Sequence, residues 1–436
     1  MKARARLAPA IAITALLGCA LPASLRAADA PPNAAAAPGA LWAAQAAPAD
    51  LPANDLARSW LDAEPAVGQA RHALEAARQR GLMLEAGPHE WTAKAMAQRR
   101  SYRSGDSATS DWSGGVERTL RMGGKAALDR QAGEALVRQA EARLGEARHE
   151  AARALLSSWL NWVGADRIRG LWEEQVALAE ANLRAAESRR KAGDASMLEQ
   201  NAARADLADV QRQLSNAANE EGKARARLRA RFPQIVLTAP ALAPPAPLLP
   251  EGALWRERIL AESDPLRVAQ EELRRAELAA DRLRADRTPD PTVGVHAGQE
   301  GSRAERIIGF TLSIPIGGKY RDAQGREALQ QVEVARSALE AQRREAEAEI
   351  AEALADAAGG QERLRFAEAA MQATRESARL TQRAYTLGEA DLQALLLARR
   401  QSVDAAIGAA QAHVDALRSR YRLLVDAHLI WGLAED

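Results

Sequence analysis

Ile308-Gly309-Phe310-Thr311-Leu312-Ser313-Ile314-Pro315-Ile316-Gly317-Gly318-Lys319 is the stretch that decides the fold. From Ile308 to Ile316 every second residue is large and apolar, and those between are small or polar. Period two marks a strand with one apolar face. Just upstream, Val293, Val295 and Ala297 alternate with Gly294, His296 and Gly298, and the polar residues 299–305 supply a turn. The two runs predict a β-hairpin over 292–316. Past Lys319 the period changes. Residues 318–386 are rich in Ala, Arg, Glu and Leu and contain no proline. At 1.5 Å per residue, such a helix would be a rod of about 100 Å.

The same succession occurs earlier in the chain. Gly123-Gly124-Lys125 matches Gly317-Gly318-Lys319, and Ala192-Gly193-Asp194-Ala195 matches Leu387-Gly388-Glu389-Ala390. Both shifts are about 195 residues. Ala63-Glu64-Pro65 has its counterpart in Ser263-Asp264-Pro265. The first half therefore reads as helix, hairpin over 91–122, a rod over 124–191, a break at Gly193 and a return helix over 197–231. The second half reads as helix, hairpin, rod, a break at Gly388 and a return helix over 392–433. In the first hairpin Trp91, Ala93, Ala95 and Ala97 oppose Trp112, Gly114, Val116, Arg118, Leu120 and Met122. Arg118 falls on the apolar face, which means either a headgroup boundary or a different register.

Each rod ends at a glycine, the signature of a helix C-cap. Asp194 and Glu389, one residue on, suit the positive end of the next helix dipole. Rods this long need partners along their length, as in a coiled coil or a helical barrel. Each strand is about 10 residues, enough to span an outer membrane when tilted. Four strands cannot close a barrel, for which about eight is the minimum, so the chain must pool strands with copies of itself.

Composition agrees. Apolar residues make up 47% and charged residues 27%, which excludes a disordered chain. Aromatic residues are only 4%, as expected for long Ala/Leu/Arg/Glu helices. A net charge of +1 gives no nucleic-acid footprint. Residues 1–30 read as an export signal: Lys2, Arg4 and Arg6, then an apolar run over 7–23. Cleavage falls after the small-x-small Ala28-Asp29-Ala30, or at the lipobox-like Leu16-Leu17-Gly18-Cys19, which would leave Cys19 acylated. The domain plan is then 1–30 signal, 31–54 an Ala/Pro-rich segment, 55–237 the first repeat, 238–252 a proline-rich linker and 253–436 the second repeat.

Catalytic and ligand motifs do not emerge. The GGK pairs lack the G-x-x-x-x-G-K-[ST] frame of a phosphate loop, and their lysines are placed at the membrane boundary. His149-Glu150 begins like H-E-x-x-H, but Arg153 takes the second ligand position. The six histidines, none paired at i,i+4, read as surface or packing groups, with no metal site and no cofactor. Glu345, Glu347, Glu349 and Glu352 read as a solvated face pairing with Arg343 and Arg344, or as tunnel-lining charge.

The order of signal, helix, hairpin, GGK, rod, glycine tip and helix, all duplicated, resembles the TolC-type outer-membrane efflux proteins. The resemblance covers most of the chain after the signal, roughly from Asp55 to Trp431. Leu120-Arg121-Met122-Gly123-Gly124-Lys125 and Arg190-Lys191-Ala192-Gly193-Asp194-Ala195-Ser196 look closest to the heavy-metal branch, the CzcC/CusC-like factors. The resemblance implies a mainly α protein with a small β part. Its duplicated helical hairpins form an α-barrel, and four strands per chain enter a trimeric, 12-stranded outer-membrane β-barrel. It implies a passive duct, not an enzyme, working with a periplasmic adaptor and an inner-membrane RND pump.

The family's tip motif falls on Gly193, Asp194, Ser196 and Leu198, and on Tyr385, Gly388, Glu389, Asp391, Leu392 and Leu395. There the tips would close the tunnel and meet the adaptor. Asp391 stands where the family has Ser or Thr, and it could add a carboxylate to a cation-attracting ring. Ile308, Phe310, Leu312, Ile314 and Ile316 would face lipid. Heavy-metal cations are the expected cargo, with drugs or a secreted polypeptide as alternatives. A periplasmic coiled-coil adaptor without a barrel is the competing class.

Overall fold

A computed structural model describes residues 46–101, 103, 105, 108–246 and 252–433. The signal region, Cys19 and parts of the 31–54 segment and the linker lie outside them. Among the described residues there are eight helices and four strands, in two rounds of one order. The first round is α1 (Asn54–Asp62), α2 (Pro65–Ala86), β1 (Thr92–Ser101), β2 (Ala108–Thr119), α3 (Lys125–Ala192) and α4 (Met197–Arg231). The second is α5 (Gly252–Glu262), α6 (Asp264–Ala285), β3 (Thr292–Glu300), β4 (Glu305–Ser313), α7 (Lys319–Leu387) and α8 (Leu392–Asp426). The rods α3 and α7 have 68 and 69 residues, and the return helices α4 and α8 have 35 each. Rods of 68 and 69 residues are about 100 Å long. Among the described residues no helix is long and apolar enough to cross a membrane.

The strands form one antiparallel sheet in the order β1-β2-β3-β4, so β1 and β4 are its outer strands. Two boundaries differ from the sequence reading. β4 ends at Ser313, leaving Ile314 and Ile316 in the passage to α7. Pro315 has no N–H for a ladder, and the partner β3 begins at Thr292, after Pro291. Helix α8 stops at Asp426 rather than at 433. The chain then turns through His428 and Trp431, both at positive φ.

That turn closes the main core. Trp431 is fully buried; its Nε1 donates to Pro52 O at 3.0 Å and its amide to Asn54 Oδ1 at 2.9 Å. Trp159 Nε1 donates to Asp50 O at 2.9 Å, and Tyr421 OH donates to Asp50 Oδ1 at 2.7 Å. Leu155, Leu160, Trp255, Leu417, Leu423 and Ile430 fill the space between. The large apolar side chains sit here, mid-rod, while small alanines line much of the remaining helix contacts. Two of the acidic-run residues are paired. Glu347 meets Arg256 at 2.9 Å and Arg343 at 3.4 Å, and Glu349 meets Arg153 at 3.7 Å.

Candidate functional site

The two helix tips are built alike. Gly193 and Gly388 sit at φ 86° and 77°, a conformation that costs a side-chain-bearing residue about 1 kcal/mol or more. Gly193 N–H donates to Arg190 O at 3.1 Å, and Asp194 N–H reaches back to Arg189 O at 2.8 Å. Gly388 N–H donates to Tyr385 O at 3.1 Å, and Glu389 N–H to Ala384 O at 2.9 Å. Each pair satisfies the last carbonyls of its rod. The return helices are then capped at equivalent positions. Ser196 Oγ accepts from Glu199 N–H at 3.1 Å, and Asp391 Oδ1 accepts from Ala394 N–H at 2.7 Å. The Asp391 carboxylate is thus a helix cap first, the role Ser196 plays in the first repeat.

The other tip residues divide. Asp194, Glu389 and Leu198 are exposed, whereas Leu392 and Leu395 are buried against Ala186 and Ala203 of the first repeat. Tyr385 packs on that cluster and carries a polar network that the sequence did not show. Arg189 Nη1 donates to Tyr385 OH at 2.8 Å and to Glu199 Oε1 at 2.8 Å, and Tyr385 OH donates to Glu199. The Arg189 guanidinium also lies 5.4 Å from the Tyr385 ring centroid. Burial and the Glu199 carboxylate raise the Tyr385 pKa, so the phenol stays protonated and donates. The only sequence signal for Arg189 was the basic last turn of α3.

In the sheet, register decides which side chains share a face. Ala93 pairs with Val116, Val116 with Val295, and Val295 with Phe310. The next rows align Ala95, Gly114, Ala297 and Ile308, and then Arg118, Val293 and Leu312. One face is therefore apolar across all four strands, and Ile308 and Phe310 on it are 88% and 67% exposed. Ile316, beyond the strand, is 97% exposed. Arg118 does lie on this face, at its lower rim. Its Nε donates to His89 O at 3.3 Å, and the guanidinium lies 5.6 Å from the Trp91 ring. The opposite face is polar. Lys94 meets Glu117 at 2.6 Å, and Asp111 binds Gln98 at 3.1 Å and Arg100 at 3.3 Å.

Beneath the sheet the two GGK lysines part ways. Lys319 is exposed, but Lys125 is buried. Its Nζ donates to Asp290 Oδ1 and Thr288 O. The histidines also separate. His149 and His428, distant in sequence, are buried with ring centroids 5.2 Å apart.

An open sheet, apolar on one face and polar on the other and joined to paired rods, is the plan expected of a subunit that completes its sheet with copies of itself. Residues 255–425 match the sequence model of the outer membrane efflux protein family. No curated protein matches in sequence. Among solved structures, the outer-membrane channel OprN superposes with a TM-score of 0.74 at 20% identity, covering 87% of this chain and 90% of that one. CusC gives 0.73 at 15% identity, covering 86% and 91%. The open-state MtrE channel of Neisseria gonorrhoeae gives 0.66 at 21% identity, covering 88% and 90%. The fold is that of the TolC-type outer-membrane efflux channels, and residues 255–425 carry the sequence pattern of the outer membrane efflux protein family.

Proposed function

We propose that three copies share one twelve-stranded barrel and one helical tunnel, forming the exit duct of a pump for monovalent or divalent heavy-metal cations. The observation that carries the shared barrel is the open four-stranded sheet, whose one face has an apolar band across all four strands between rims that carry Arg118 and Arg306. Such a sheet is too short to close alone. Ile308, Phe310 and Leu312 face lipid in this reading, with Ile314 and Ile316 at its lower border. Gly193, Asp194, Ser196, Leu198, Tyr385, Gly388, Glu389, Asp391, Leu392 and Leu395 build the periplasmic mouth. Within it Leu392, Leu395 and Tyr385 hold the two hairpins together, and the exposed Asp194, Glu389 and Leu198 meet a periplasmic adaptor. The energy comes from an inner-membrane RND pump.

Metal cargo is supported by the local texture of the passages at 120–125 and 190–196 and by the exposed carboxylates at the tips. A duct needs weak sites rather than a tight one, so a cargo metal leaves no ligand cage as its mark. The test is complementation. In a host lacking its own duct, expression should raise tolerance to copper, zinc or cobalt salts and leave drug tolerance unchanged. Restored drug tolerance without metal tolerance overturns the cargo. A soluble monomer in the periplasm overturns the channel.

A further inference from the structure

Midway along the rods, where the chain's last turn meets both repeats, lies a polar knot that a duct does not need. His149 projects from α3, Asp264 opens α6, and His428 follows α8. All three are buried. One ligand-capable atom from each lies within 4.8 Å of the other two.

Three observations separate this knot from an ordinary hydrogen-bonded cluster. First, His428 Nε2 is sealed from solvent and has no hydrogen-bond partner among the described residues. It faces Asp264 Oδ2 at 3.9 Å, too far for a hydrogen bond. Two ligands of a tetrahedral ion with bonds near 2.0–2.1 Å stand roughly 3.3–3.5 Å apart, so a small contraction suffices. Second, outer partners are already in place. Asp426 Oδ1 lies 3.0 Å from His149 Nε2 and is itself held by Arg153 Nε at 2.8 Å. Arg267 Nη1 donates to Asp264 Oδ1 at 3.4 Å, the other oxygen of the same carboxylate. A carboxylate on one imidazole nitrogen fixes the tautomer and presents the other to a metal. Third, the backbone makes room. A Cβ on Gly145, one turn before His149, would fall 2.7 Å from Asp264 Oδ1. A cavity of about 240 Å³, lined by Glu150, Arg153 and Asp426, adjoins the site at His149.

We propose that His149, Asp264 and His428 hold a divalent ion of the zinc type as a resident staple between the two repeats. Two imidazoles and one carboxylate are a borderline donor set that suits zinc, with water as the fourth ligand. The ion would tie α3 of the first repeat to α6 and the post-α8 turn of the second. The site is independent of the cargo reading, since it lies in the packed core and not on the polar face of the sheet or at the tips.

The test uses the full chain, purified in detergent, stripped with a chelator and re-dialysed against zinc. Elemental mass spectrometry should find about one zinc per chain, and Co(II) should give the intense visible bands of a tetrahedral site. Zinc should raise the thermal midpoint of the stripped protein. His149→Gln and His428→Gln should each lose at least tenfold in zinc affinity, and Asp264→Asn should blunt the Co(II) bands. His72→Ala, which alters an exposed histidine, should keep both. Wild-type protein that retains no zinc and shows no shift in its midpoint overturns the proposal, whatever the variants do. Equal zinc retention by wild type and His428→Gln also overturns it.

Discussion

Lys125 Nζ lies 2.8 Å from Asp290 Oδ1, joining the strand-to-helix passage of the first repeat to the helix-to-strand passage of the second. The lysine side chain is 1% exposed and the aspartate 14%. Met122 N–H donates to the same oxygen at 2.8 Å, and Asp286 stands 3.1 Å from the ammonium. The seam between β2 and β3 is therefore locked from below by a buried ion pair.

Removing one partner of a buried pair strands the other. Lys125→Met should cost about 3 kcal/mol and lower the thermal midpoint of the assembled protein, read by unboiled gel migration over a temperature series. The pair also has a pH sign. Burial, the largest influence on Asp290, raises its pKa, but the Lys125 ammonium and the Met122 N–H outweigh it, and the net shift is downward. A carboxyl lowered on folding adds stability that is complete above its unfolded pKa of about 3.9 and is lost as pH falls through the lower folded value. Wild type should lose part of its margin over Lys125→Met below about pH 4, and a constant gap down to pH 2 would contradict the ion pair.

The duplication sets up a second such pair between copies. Counting back from Thr92 and Thr292, Glu90 takes the place of Asp290, and Lys319 takes that of Lys125. Both Glu90 and Lys319 are exposed. If β4 of one copy pairs with β1 of the next, as the shared barrel requires, Lys319 meets Glu90 of its neighbour. Lys319→Glu and Glu90→Lys should each weaken the detergent-resistant trimer, and the double variant should restore it. Additive losses in the double variant would remove this seam.

The cap reading of Asp391 separates hydrogen bonding from charge. Asp391→Ala should cost about 1 kcal/mol locally and speed amide exchange in the first turn of α8 by about fivefold. Asp391→Ser should leave exchange near wild type, as Ser196 serves α4. If Ser behaves like Ala, the carboxylate acts there by its charge and not as a cap.

The register makes alternate residues of β4 unequal. Leu312→Arg should impair outer-membrane assembly, at about 2–4 kcal/mol if near the midplane, while Thr311→Arg on the polar face should assemble. Failure of Thr311→Arg with normal assembly of Leu312→Arg would reverse the faces.

Much of the fold was legible because its signals are local. Alternation over Val293–Ala297 and again over Ile308–Leu312 reported two strands, and the proline-free run past Lys319 reported a rod ended by Gly388. The strand ends were less legible. Ile314 and Ile316 keep the period, yet Pro315 and the start of β3 end the ladder. What escaped the sequence is long-range. Nothing near Lys125 says that Asp290 will cover it, and nothing near His149 names His428. At the tips the glycines announce the turns, but the contact of Arg189 with Tyr385 and Glu199 appears only when the second hairpin lies against the first.

The sheet has two unpaired edges and one apolar face. A lone copy therefore has no complete folded state for its β part, either in water or in lipid. Strand closure becomes a matter of mass action, so its rate should climb faster than linearly with chain concentration. A cell that makes this protein slowly would carry a larger share of half-finished subunits, with helices formed and strands waiting.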